Sequence, residues 1–268
     1  MYDSYNREIN YLRISVTDRC NLRCSYCMPE QGIQLKSHDD ILPYEKVVQV
    51  AQAASELGIR KLRLTGGEPL VRRNVSFMVR ELKSLPGIRE VCLTTNGTLL
   101  APLAAELKRS GLDRLNISMD TLDPGKYRRI TRCGDIETVF AGIRAAQEAG
   151  FRGTKLNMVL IPGFNDDEVE AMKEFCRRNG LRLQRIHHYS LQDHRSAQGQ
   201  LEAERPLPCH DCNRLRLTAD GKLKPCLFSD LEFAIDFNDI RTSLLQAVRA
   251  KPACGIGCAN RGNWQIGG

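Results

Sequence analysis

Leu12-Arg13-Ile14-Ser15-Val16-Thr17-Asp18-Arg19-Cys20-Asn21-Leu22-Arg23-Cys24-Ser25-Tyr26-Cys27 passes from an alternating run into a loop with three thiols. In the run, Leu12, Ile14 and Val16 alternate with Arg13, Ser15 and Thr17, as in a strand with one apolar face. The pattern returns in Lys61-Leu62-Arg63-Leu64-Thr65 and in Lys155-Leu156-Asn157-Met158. It returns again where Leu115, Ile117 and Met119 oppose Asn116, Ser118 and Asp120. Parallel strands covered on both faces should be almost wholly apolar. Here one face is polar and cationic on strand after strand, which fits a barrel around a wet cavity.

The strands predicted over 12–17, 61–65, 90–95, 114–120, 155–161 and 181–189 alternate with helical patterns over 44–57, 73–84, 99–110, 135–149 and 166–179. Gly58, Gly111, Gly150 and Gly180 close several of these as helix C-caps do. Six β-α repeats predict an α/β fold, a partial (β/α)6 barrel over residues 1–190. Residues 191–206 read as a polar linker or exposed loop. A small cysteine-rich β-hairpin and helical extension is expected over 191–268, with an Asp220-Gly221 turn.

Chemistry in such a barrel gathers at the C-terminal strand ends. There lie the cysteine loop, Thr65-Gly66-Gly67-Glu68-Pro69, Thr94-Thr95-Asn96-Gly97 and Asn116-Ile117-Ser118-Met119-Asp120. The paired glycines would let backbone approach a ligand, and Glu68 could accept from an ammonium or hydroxyl. Three thiols spaced C-x3-C-x2-C can wrap a cubane iron–sulfur cluster and leave its fourth iron open. They also suit a zinc knuckle completed by a distant ligand. Cys209, Cys212 and Cys226 make a second set, where a zinc ribbon and a cluster are both compatible with a hairpin. Cys254 and Cys258 could complete it. His187, His188, His194 and His210 are weaker ligand candidates, and Cys92, Cys133 and Cys176 read as buried small hydrophobes.

With 42% hydrophobic and 26% charged residues, the 268-residue chain can build an ordinary core. No secretory signal or membrane span is evident, and clustered cysteines suit a reducing cytoplasm. The net charge of +7 favours an anionic partner. No long basic run with interleaved aromatics occurs, so nucleic acid is not expected.

Cys20-x3-Cys24-x2-Cys27 resembles the cluster signature of the radical S-adenosylmethionine (SAM) enzymes, and Gly66-Gly67-Glu68-Pro69 resembles their SAM-amino motif. The runs 12–20, 63–70, 94–97 and 116–120, with Cys209-x2-Cys212-Asn213-Arg214-Leu215-Arg216, Cys226 and the Gly267-Gly268 end, resemble the GTP 3′,8-cyclase family. That family takes the first step of molybdenum cofactor synthesis. The resemblance implies that Cys20, Cys24 and Cys27 hold a [4Fe-4S] cluster whose open iron chelates SAM. Tyr26, Gly67, Glu68, Thr95 and Ser118 would help hold SAM. The 5′-deoxyadenosyl radical would take the C3′ hydrogen of GTP, and the C3′ radical would attack guanine C8. Cys209, Cys212 and Cys226 would hold an auxiliary [4Fe-4S] cluster that binds guanine. Arg13, Lys61, Arg63, Lys155, Arg185, Arg214 and Arg216 would contact GTP. Arg13, Lys155, Arg214, Arg216, Gly267 and Gly268 would act in turnover. A reductant such as flavodoxin or ferredoxin is expected, and a homodimer is compatible with the pattern.

The chain departs from that family in three places. Only about 20 residues separate Tyr189 from Cys209, where the family carries a longer segment. Arg185-Ile186-His187-His188-Tyr189-Ser190 replaces an acidic, Met-containing strand end, and Cys254 and Cys258 are additional. The residues leave three readings: the cyclase, a radical SAM paralogue acting on a peptide or another nucleotide, and a non-enzymatic zinc module.

Overall fold

A computed structural model describes residues 1–193 and 202–266. β1 (Tyr11–Ser15), β2 (Lys61–Thr65), β3 (Glu90–Thr95), β4 (Arg114–Ser118), β5 (Lys155–Leu160) and β6 (Arg182–His187) form six parallel neighbours. The helices between them are α1 (Tyr44–Glu56), α2 (Val75–Ser84), α3 (Ala104–Arg109), α4 (Pro124–Thr131), α5 (Ile136–Glu148) and α6 (Val169–Arg178). The helix expected over 99–110 is shorter because residues 98–103 form turns, with Leu100 N donating to Gly97 O and Leu103 N to Leu100 O, before α3 begins. α4 was not expected: Pro124 sits in its first turn, and the Asp123 side chain accepts from Lys126 N at 2.6 Å.

The C-terminal part continues the same sheet. β7 (Arg214–Leu217) pairs in parallel with β1, matching Tyr11 with Arg214 and Arg13 with Arg216. β8 (Lys222–Lys224) and β9 (Phe233–Ala234) follow antiparallel, and Gly221 takes φ +77 in the expected Asp-Gly turn. The order is therefore β6-β5-β4-β3-β2-β1-β7-β8-β9. α7 (Ile240–Arg249) packs against α1, β8 and β9, and α8 (Asn263–Ile266) returns to β1.

The alternation sorts side chains as read from the sequence. Leu12, Ile14, Leu62, Leu64, Leu215 and Leu217 are buried in the main apolar core, while their polar neighbours Arg13, Arg63 and Arg216 line a cavity on the sheet's other face. Each fully buried Leu or Ile contributes about 1.5–3 kcal/mol against exposure. Among the described residues no helix is long and apolar enough to cross a membrane.

Candidate active site

A cavity of about 370 Å³ lies within the curved sheet, bordered by residues of β1 to β7 and by the cysteine loop. One end carries Cys20, Cys24, Tyr26 and Cys27, with Gly67, Glu68, Thr95 and Ser118 beside them. The loop is fastened from two sides. Arg23 N donates to Thr131 O at 3.1 Å and Ser25 N to Ile130 O at 2.8 Å, both at the end of α4. Arg132, just beyond, donates to Arg23 O and Met28 O at 3.0 and 2.9 Å.

On the other side the glycine pair presses against the strand exit. Gly67 N donates to Thr17 O and Glu68 N to Arg19 O, each at 2.8 Å. A Cβ on Gly67 would lie 2.4 Å from Arg19 O, and one on Gly66 (φ +148) 2.5 Å from Thr17 O. The glycines thus serve first to bring β2's end onto the backbone leading to Cys20. Both glycines also line the cavity, where a ligand was expected to approach.

Glu68 is buried, and its carboxylate accepts from Thr95 Oγ1 (2.7 Å), Asn96 N (2.7 Å) and Leu70 N (3.0 Å). Burial pushes its carboxyl up to about 7, against the opposing pull of those donors. Asp120 accepts from Tyr26 Oη at 2.7 Å and Val159 N at 2.8 Å, and burial raises it to about 6. Asp120 thereby holds Tyr26, the residue before Cys27, a role that sequence reading missed.

The first thiol set fits a cluster. Its three sulfurs come from one loop facing a cavity, and Leu22 N donates to Cys20 Sγ at 3.4 Å, as suits a thiolate. All eleven cysteines are free. Among the described residues no three His, Cys, Asp or Glu groups close on a point fit for one ion.

The remaining cavity wall is cationic. β2, β1 and β7 set Arg63, Arg13 and Arg216 in one register row, and Lys61, Tyr11 and Arg214 in the next. Arg63 is tied to Tyr11 Oη (2.5 Å) and Thr94 Oγ1 (2.9 Å). Lys61 pairs with Glu90 at 2.8 Å. Lys155 donates to Gln184 Oε1 at 3.0 Å. Burial lowers Arg13 and Arg216 to about 10, and neighbouring arginines push each the same way. Arg214 and Lys155 are lowered by burial first and by adjacent cations next. Such crowding suits a polyanion.

Arg185 does not join this wall. Gln184 and Ile186 face the cavity, so Arg185 between them points away and pairs with Glu204 at 2.6 Å. Its expected substrate contact is corrected by that one-residue difference. Arg205, which sequence reading passed over, lines the cavity instead.

The second thiol set brackets the β7–β8 hairpin. Cys209 lies on a 3-10 turn just before Cys212, and Cys226 follows β8. Arg7 holds Cys209 O (2.7 Å), Pro252 O (2.6 Å) and Ala253 O (2.9 Å) together. Lys251 donates to Arg214 O at 2.9 Å and Pro225 O at 2.6 Å. Burial raises the Cys212 thiol, but Lys251 and Arg214 outweigh it and lower the net value. Cys254 Sγ lies 3.1 Å from Cys209 Sγ, whereas Cys258 is buried in a separate small core with Leu191, Phe228 and Ile266. Cys92 and Cys176 are buried as expected, but Cys133 is exposed beside the first loop because it follows the end of α4. His187 and His188 line the cavity; His210 is exposed; His194, Gly267 and Gly268 lie outside the described residues.

Residues 14–176 match the Radical SAM superfamily. A GTP 3′,8-cyclase from Peptoclostridium acidaminophilum is 44% identical over 299 residues, covering 94% of this chain and 92% of the relative. One from Moorella thermoacetica is 44% identical over 278 residues, covering 88% and 86%. Both alignments exceed the 268 residues here, so this chain carries gaps relative to them. Streptococcus suis SuiB bound to S-adenosylmethionine shares the fold with a TM-score of 0.68 at 16% identity, covering 93% of this chain and 66% of SuiB. Native anSMEcpe with bound AdoMet gives 0.67 at 14%, covering 91% and 81%. With that cysteine loop, glycine pair and parallel sheet, the chain belongs to the GTP 3′,8-cyclase family of the Radical SAM superfamily.

Proposed function

We propose that the protein converts GTP to (8S)-3′,8-cyclo-7,8-dihydroguanosine 5′-triphosphate. The observation that carries this reading is the register of β2, β1 and β7, which sets five cations and Tyr11 in two rows inside the cavity that the cysteine loop borders. The family implies a [4Fe-4S] cluster and SAM. Cys20, Cys24 and Cys27 would hold that cluster, which with SAM supplies the 5′-deoxyadenosyl radical that abstracts hydrogen from C3′. Gly67, Thr95 and Ser118, which line the cavity beside the cysteine loop, would hold SAM with Tyr26, whose hydroxyl donates to Asp120. Glu68 orients Thr95 and Asn96.

Arg13, Arg63 and Arg216 would bind and orient the nucleotide, with Lys61, Lys155 and Arg214 adding charge for the triphosphate. Arginine forks suit phosphate oxygens because two N–H groups donate in parallel. Cys209, Cys212 and Cys226 in the 191–268 region would hold an auxiliary cluster beside the substrate, while the radical-generating loop lies in residues 1–190. Arg216 Nη1 donates to Ile266 O at 3.3 Å, and Gly267 and Gly268 are proposed to act in turnover. A reductant of the flavodoxin or ferredoxin class would deliver the electron. The cation density favours a nucleoside triphosphate over a peptide.

Anaerobic reconstitution followed by SAM, dithionite and GTP tests the reading. GTP-dependent formation of 5′-deoxyadenosine together with a cyclised GTP product is expected. Uncoupled SAM cleavage unchanged by GTP would defeat it.

A further inference from the structure

β6 has an unusual neighbour on its free edge. Residues 204–205 run beside it: Glu204 N donates to Arg185 O at 3.1 Å, and His187 N donates to Arg205 O at 2.9 Å. Ile186 and Arg205 form a parallel bridge. Extended chain turns successive side chains to opposite faces. Glu204 faces outward, where its carboxylate takes Arg185 N at 2.7 Å and the Arg185 guanidinium at 2.6 and 3.0 Å. Arg205 is consequently turned inward and lines the cavity.

Among the described residues its cavity side is cationic. Arg205 Nη1 is buried without a hydrogen-bond partner. Arg63 opposes its charge, while Tyr11 and the outward-facing Glu204 support it. Lys155 has Arg205 as its strongest charged neighbour. A guanidinium held this way is satisfied when several acceptor oxygens enter between it and the neighbouring cations. We propose that Arg205 binds the polyphosphate of the substrate directly, and that the Arg185–Glu204 pair is the external clamp that aims it. Arg185 is then a positioning residue. The inference rests on the cavity's reading as a nucleoside-triphosphate site, but it concerns the phosphate-binding wall and not the radical step.

The test uses inorganic tripolyphosphate and GTP as separate calorimetric probes of the reconstituted protein and of its R205Q, R205K, R185Q and R185Q/R205Q variants, with iron content as the folding control. R205Q should weaken both probes at least about tenfold while leaving guanosine unchanged, and R205K should recover part of the loss. R185Q should weaken both by about threefold, with the double variant no worse than R205Q, as expected for residues acting in series. In turnover, R205Q should raise KM for GTP and leave kcat within about twofold. Equal tripolyphosphate affinity in wild type and R205Q overturns the assignment even if the enzyme cyclises GTP. The expected tripolyphosphate losses without any GTP-dependent 5′-deoxyadenosine sustain the assignment and defeat the cyclase reading. Failure of the wild type to bind tripolyphosphate defeats the assignment outright.

Discussion

The loop with Cys20, Cys24 and Cys27 and the hairpin between Cys212 and Cys226 present the same donor atoms from unlike foundations. The first set occupies one βα loop, and its ties run to the next strand's end and to α4. The second set flanks a hairpin whose place depends on β7 docking on β1, some two hundred residues earlier in the chain. Arg7 and Lys251 then tie Cys209, Arg214 and Pro225 to the segment after α7. A barrel that repeats one β-α unit can position the first set by local rules. The second needs long-range pairing, and the same pairing delivers Arg214 and Arg216 to the cavity. On the proposed reading, loss of the second set and loss of the first should therefore have different effects.

That difference can be tested from either side. Cys24→Ala should abolish SAM cleavage with and without GTP and remove about four irons per chain, leaving the auxiliary site loaded. Loss of all iron would show that the two sites fold as one. Arg216→Ala should keep basal SAM cleavage but lower the GTP-dependent rate about 10²–10³-fold, as loss of one aimed cation does. An equal fall in both rates would argue against a substrate-side role.

Smaller effects sharpen the account of the first loop. Asp120 prefers its proton when folded, since burial raises it to about 6 from an ordinary value near 4. Its contribution to stability is full below pH about 4 and is lost as the pH rises through 6. Asp120→Asn retains an acceptor for Val159 N and removes that loss, worth about 3 kcal/mol at most. The variant's Tm should gain on wild type from pH 4 to pH 7; a constant difference would contradict the assignment. Gly67→Ala forces a methyl onto Arg19 O and should cost about 1–3 kcal/mol, with iron lost from the first site alone. An unshifted Tm would mean that the strand exit can move aside.

How far the sequence could be read follows the same division. The strands 61–65 and 90–95 have the expected bounds, because alternation and flanking turns are local signals. The six-strand barrel and its polar lining follow from those repeats. Arg214-Leu215-Arg216-Leu217 has the same alternation, yet nothing within four residues names its partner strand or direction. α4 was hidden because Asp123-Pro124-Gly125 reads as a turn until the Asp123 cap is seen. At β6, a register shift of one residue exchanges Gln184 for Arg185 at the cavity and moves the cation to Arg205. The cavity-facing positions of Arg13, Arg63 and Lys155 could be read from alternation, whereas Arg205, placed by what docks beside β6, could not.

The most direct test of the central claim, that the cysteine loop acts on a nucleotide held by the β2–β1–β7 wall, is label transfer from GTP deuterated at C3′. Incubated anaerobically with SAM and reductant, the reconstituted protein should give 5′-deoxyadenosine carrying that deuterium, and R216A should give mainly unlabelled 5′-deoxyadenosine. Unlabelled 5′-deoxyadenosine from the wild-type protein, at a rate indifferent to GTP, would contradict the account.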